Sequence, residues 1–142
     1  MVIDSSALVA IILGETDAER LLDAIGAASE AAVSAASLTE ALIVVTARQG
    51  DAAADDLHAL VADLEVDVVA FDEEQAVTAH RAWRRFGKGR HTAALNVGDA
   101  MAYACAAQRG APLLFKGRTS RRLISVRFSE SGAPFVRPIR WS

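Results

Sequence analysis

At 142 residues, 52% of them hydrophobic and 23% charged, the chain has the size and balance of one domain with a buried core, which leaves no room for a second full domain. Net charge is only −3, and the apolar start is too short to span a bilayer, is interrupted by Asp4 and has no basic stretch before it, so neither a membrane anchor nor a targeting peptide is expected. A lone cysteine, Cys105, excludes an internal disulfide and a cysteine-built zinc cluster, and a reducing cytoplasm is the expected compartment.

Residues 1–4 read as a short buried strand, after which Ser5 or Ser6 can cap a helix running to Gly14. Thr16 and Glu19 have the spacing of a capping box for a second helix, whose apolar face is Ala18, Leu21, Leu22 and Ile25. Residues 31–34 form a second strand of weak β propensity. A helix is expected from near Ser37 to Gly50, with Glu40 in its first turn, and another from Asp51 carrying Leu57, Leu60, Val61 and Leu64 on one face. The clearest strand is 66–71, followed by a helix over 72–86 in which Trp83 is expected to pack. A basic, glycine-flanked loop at 87–91, a small-residue helix over 96–108 ended by Gly110, and a strand at 112–115 follow. Strands alternating with helices predict an α/β fold with a mainly parallel sheet covered on both faces.

Three acids stand out against this frame. Asp4, Glu40 and Asp99 are the only charged residues in the apolar stretches 1–14, 31–47 and 93–107. An ionised carboxylate in apolar surroundings is strongly disfavoured unless it is paired or holds a metal. Each has a purely structural explanation: Asp4 as a helix cap, Glu40 as the capping-box partner of Ser37, Asp99 as the anion that suits a helix N-terminus. What favours a shared site is the conjunction, since all three are isolated from other charge and all stand where the chain enters a helix. Asp4 also ends the first strand, and ligand clefts in open parallel sheets lie at that end.

Carboxylate oxygens suit hard divalent cations such as Mg²⁺ or Mn²⁺, which keep several waters and need neither His nor Cys. Such an ion polarises a phosphoryl oxygen and activates water, so hydrolysis of a phosphodiester is the reaction this donor set fits. Ser6 is placed to donate a hydrogen bond in the second layer of the site, with helix capping as its alternative.

The segments Val2-Ile3-Asp4-Ser5-Ser6-Ala7-Leu8-Val9-Ala10, Ser34-Ala35-Ala36-Ser37-Leu38-Thr39-Glu40 and Leu95-Asn96-Val97-Gly98-Asp99-Ala100-Met101-Ala102-Tyr103-Ala104, with Leu113-Leu114-Phe115-Lys116-Gly117, resemble the PIN-domain toxins of VapBC toxin–antitoxin modules. The resemblance covers residues 1–117 in order. It implies a three-layer α/β/α sandwich with four to five strands, and a Mg²⁺- or Mn²⁺-dependent endoribonuclease. It also implies silencing by a cognate VapB-type antitoxin and a homodimer. Asp4, Glu40 and Asp99 fall on the first three of the family's four acids, Ser6 on its adjacent hydroxyl position, and Asn96 within the motif before the third acid. Lys88, Arg90 and His91 are candidates to contact RNA phosphates, with solvated loop charge as the alternative, and Arg84 and Arg85 suit the end of their helix without further role. A receiver-like signalling domain also gathers acids around Mg²⁺, but it requires a central-strand Asp and a late Lys in an order this chain does not offer.

The chain departs from the family after residue 117. Residues 1–117 carry nine basic and 17 acidic groups, a net −8, whereas 118–142 carry six Arg and one Glu, a net +5. Where these toxins have Gly, any residue, Asp, Phe, this chain reads Gly117-Arg118-Thr119-Ser120, with Thr119 in place of the fourth acid. Residues 117–124 can be encoded GGA CGG ACT TCT CGC CGA CTG ATA, and the same bases read from the third position give Thr-Asp-Phe-Ser-Pro-Thr-Asp. A one-base frameshift near codon 117 would explain both the missing acid and the change of charge, with ordinary divergence as the alternative. The domain core is therefore expected over 1–117, followed by an atypical Arg-rich segment over 118–142. The rival functional reading is a catalytically impaired module that still binds an antitoxin and serves autorepression.

Overall fold

A computed structural model describes residues 1–116 in full and the backbone of 123–128 and 134–138. In chain order the elements are β1 (Val2–Ile3), α1 (Ser5–Ile12), α2 (Ala18–Gly26), β2 (Ala32–Ser34), α3 (Ala35–Gln49), α4 (Asp51–Asp63), β3 (Asp67–Val69), α5 (Glu73–Phe86), α6 (Val97–Arg109), β4 (Leu113–Lys116), β5 (Leu123–Phe128) and β6 (Pro134–Pro138). One sheet joins all the strands in the order β3-β2-β1-β4-β5-β6. The first four are parallel, with β1 central: Val2 pairs with Ala32 on one side and Leu113 on the other. β5 then runs antiparallel to β4, and β6 antiparallel to β5. The sheet is thus wider than the four to five strands expected, because the Arg-rich segment adds a hairpin to its edge.

Alternation along the strands sorts the core into two layers. Ile3, Val33 and Leu114 point into a cluster with Leu8, Leu21, Ala41, Val45, Leu57 and Val61, which belong to α1 through α4. Val2, Ala32 and Leu113 point the other way, against Ala102, Cys105 and Ala106 of α6. The small residues of α6 let it lie close on the sheet, and α5 packs outside it through Ala79, Ala100, Ala104, Phe71 and Trp83. Trp83 packs, as its sequence position suggested.

Several boundaries moved. α2 begins after Asp17 rather than from a Thr16 capping box, and Asp17 makes no side-chain cap. α3 starts at Ala35, where the Ser34 side chain accepts from the Ala36 N–H at 3.3 Å, so Ser37 lies inside the first turn and Glu40 in the second. The Ser37–Glu40 capping box therefore does not form. α6 ends as expected at Gly110, whose φ of 58° is open to glycine at no steric cost. None of the described helices is long and apolar enough to cross a membrane.

Candidate active site

Each acid reaches the carboxyl end of the sheet by a different route. Asp4 follows β1 directly, its own N–H bonded to the Leu114 carbonyl at 2.8 Å, and it is the N-cap of α1. Oδ2 accepts the Ser6 N–H at 3.0 Å, whereas Oδ1 is buried with no hydrogen-bond partner. Glu40 comes from α3 and accepts the Ser5 hydroxyl on Oε2 at 3.0 Å. Its carboxylate lies against the first turn of α6, so close to Gly98 that a Cβ there would stand 2.4 Å from Oε2. Asp99, the next residue, closes a capping box: the Asn96 N–H donates to Asp99 Oδ2 at 2.9 Å and the Asp99 N–H to Asn96 Oδ1 at 2.8 Å.

Burial is the main force pushing the Asp4 carboxyl above its ordinary 3.8; the Ser6 hydroxyl and N–H oppose the shift, and the charges of Asp99 and Glu40 add to it. The electrostatics therefore couple the same three acids that the sequence singled out. Among the described residues no three Asp, Glu, His or Cys side chains stand close enough to close a metal cage by themselves. Hard divalent ions complete their shell with water and substrate oxygens, so an unpartnered, buried Asp4 Oδ1, on a carboxyl group that feels the charge of Asp99 and Glu40, fits such an ion without a full cage.

The raised Asp4 pKa sets a stability test. The folded chain holds this proton more tightly than the unfolded chain, so the carboxyl contributes stability below its ordinary 3.8 and that contribution is lost as pH rises through the raised value. Above it, the metal-free fold carries a buried charge. Asp4→Asn keeps a cap acceptor for Ser6 and removes the charge, so in EDTA its Tm should exceed that of the parent chain near neutral pH, with the gap closing toward about pH 4. A gap that stays constant across that range in thermal unfolding would contradict the assignment.

Of the remaining candidates, Ser6 does not point its oxygen into the site alone: it accepts the Lys116 N–H at 3.0 Å and so ties α1 to the end of β4. The Lys116 side chain pairs with Glu15. Asn96 is joined to Asp99 by the capping box. Lys88, Arg90 and His91 are exposed on the loop between α5 and α6. Arg90 lies over the Trp83 ring at 4.9 Å. His91 packs edge-on against Phe86 at 5.3 Å, and its Nδ1 accepts the Ala93 N–H at 3.0 Å, so this ring also shapes the loop. Thr119 and the rest of 117–122 lie outside the described residues.

Sequence reasoning passed over Ser5 and Gly98. Ser5 was masked by its neighbour Ser6, which fits the same motif. Gly98 did carry a signal, since a glycine in the first turn of a helix, with no turn to make, marks a close approach.

The PIN domain family model matches residues 1–123. The chain belongs to the PIN domain family. Within it, the relatives are VapC proteins: a ribonuclease VapC of Mycolicibacterium smegmatis is 46% identical over 121 residues, covering 85% of this chain and 94% of the relative. Ribonuclease VapC30 of Mycobacterium tuberculosis is 45% identical over 117 residues, covering 82% and 89%. The fold of this VapC-type PIN domain matches the crystal structure of Mycobacterium tuberculosis VapC20, a sarcin-ricin loop cleaving toxin, with a TM-score of 0.64 at 19% identity over 78% of this chain and 83% of the other. A toxin–antitoxin complex from Klebsiella pneumoniae aligns with a TM-score of 0.60 at 15% identity, over 84% and 87%.

Proposed function

We propose that this PIN domain is the toxin of a type II toxin–antitoxin module, an endoribonuclease that hydrolyses RNA phosphodiester bonds with Mg²⁺ or Mn²⁺ held by Asp4, Glu40 and Asp99. One observation carries the metal reading: a buried Asp4 oxygen with no partner, on a carboxyl group to whose surroundings Glu40 and Asp99 add negative charge. When bound, the ion would supply charge neutralisation at the phosphate and a lowered pKa for water. The protein's own part is to fix these carboxylates. Asn96 orients Asp99, and the β4 anchor on Ser6 fixes the first turn of α1. Cleavage of RNA that stops with EDTA and returns with Mn²⁺ is the expected result; EDTA-insensitive cleavage would refute it.

Lys88, Arg90 and His91 supply sequence-independent attraction for the RNA backbone, from a loop that runs straight into the Asn96–Asp99 cap. The partner of the toxin is a VapB-type antitoxin, as the VapC relatives and the Klebsiella complex support. A homodimer accounts for Val97, exposed at 63% and lining an apolar groove of about 310 Å³ between α5 and α6 with Phe71, His80, Trp83 and Met101, and for Ile43, exposed at 64% on α3. Light scattering that gives a monomer mass at micromolar concentration would remove that part of the reading.

Residues 118–142 are read as a replaced terminus. The family match ends at residue 123, close to where the charge changes sign. The coding DNA decides the frameshift: codons that give no acid-containing ending in another frame would end the idea. Thr119→Asp should raise the rate of metal-dependent cleavage, and an unchanged or lower rate would remove position 119 from the site. The impaired module gains no support from the described residues, where the three acids are retained.

A further inference from the structure

Ser5 has no task in the motif that brought Ser6 to attention, nor as a cap, because Asp4 caps α1. It is nonetheless buried, and its hydroxyl reaches across 35 residues of sequence to Glu40 Oε2 at 3.0 Å. A serine hydroxyl has one proton to give, and here it is committed to that carboxylate. On the Gly98 side, a Cβ would stand 2.4 Å from Oε2, 2.9 Å from Oε1 and 3.0 Å from Cδ, so the carboxylate rests where only glycine leaves room.

Glu40 sits in the second turn of α3, half-exposed, on a long side chain with several rotatable bonds. Without a fixed donor such a chain spreads over rotamers that point to water, and ordering it at the moment of ligand binding costs entropy. We infer that Ser5 is a positioning residue that, with the gap at Gly98, holds the Glu40 carboxylate against the first turn of α6, which carries Asp99, before any ligand arrives. This rests on the metal reading above. Partners of this kind orient ligating carboxylates, and their loss typically costs about 10–100-fold in metal affinity or activity.

The test is a Mn²⁺ titration by calorimetry without RNA, joined to a double-mutant cycle in the cleavage assay. Ser5→Ala should weaken Mn²⁺ binding about tenfold or more and lower kcat by a similar factor with KM for RNA unchanged, while Ser5→Thr restores both. In a Glu40→Ala background the further change to Ala at position 5 should have less than about a twofold effect, because a positioning residue acts only through the group it holds. Additive losses in the cycle, or Mn²⁺ affinity unchanged in Ser5→Ala, overturn the inference. A parent chain that binds no Mn²⁺ would instead overturn the metal reading. Should Ser5→Ala lose its fold, Ser5→Cys, close in size but a weak donor, takes its place under the same criteria.

Discussion

Asp99→Asn should lower metal-dependent RNA cleavage on the order of 10²–10³-fold, the loss typical of removing one electrostatic group from a reacting centre. The substitution separates chemistry from folding. Asp99 accepts the Asn96 N–H through Oδ2, and an asparagine offers an amide oxygen at the same place, so the capping box survives the change. Loss of the cap acceptor would cost about 1 kcal/mol; keeping it should leave Tm close to that of the parent chain. Mn²⁺ affinity should fall with the rate, since the charge and not the shape is what the substitution removes. Cleavage by Asp99→Asn within a few-fold of the parent chain, with Tm unchanged, would take Asp99 out of the site.

The second large effect is expected at a residue with no side chain. Gly98→Ala places a methyl 2.4 Å from Glu40 Oε2, a contact no structure tolerates, and the group that can yield is the far end of a flexible glutamate. Glu40 should swing out, losing the Ser5 hydroxyl as it goes. The backbone of α6 has no objection, because alanine is favoured over glycine inside a helix by about 1 kcal/mol. The expected outcome is a chain at least as stable as the parent that cleaves RNA about 10–100-fold more slowly. Thermal unfolding and initial rates measured on one preparation check both halves. A less stable chain with full activity would mean that α6 moved and Glu40 did not.

How far the sequence reached depends on which physical signal each residue carried. Strand and helix order followed from hydrophobic period and from end signals such as Gly110, which caps its helix where expected; Asp72, read as the first residue of its helix, is instead the N-cap. The acids were legible because charge in an apolar run is costly wherever the fold puts it. The helix carrying Glu40 was harder. Ser37 and Glu40 have capping-box spacing, but Ala35 and Ala36 are good helix formers that extend the helix back to Ser34, leaving Ser37 buried with its hydroxyl unpartnered. Contacts between segments distant in sequence, Ser5 with Glu40 and Glu40 with Gly98, leave no periodic trace at all. The strand predicted at 66–71 shrank to Asp67–Val69, since a sheet-edge strand pairs only along the residues its neighbour β2 offers. The antiparallel hairpin of β5 and β6 was beyond reach, because it forms from the segment that departs from the family pattern.

The carboxyl group of Asp4 divides its work between its oxygens, Oδ2 closing the first turn of α1 and Oδ1 left buried without a partner. To the helix cap, aspartate and asparagine at this position are nearly synonyms; to the proposed chemistry they are opposites. Aspartate codons become asparagine codons by a single G-to-A transition. For the toxin proposed above, the shortest genetic route to silence therefore leads through a molecule that still folds and still presents the surfaces an antitoxin would read.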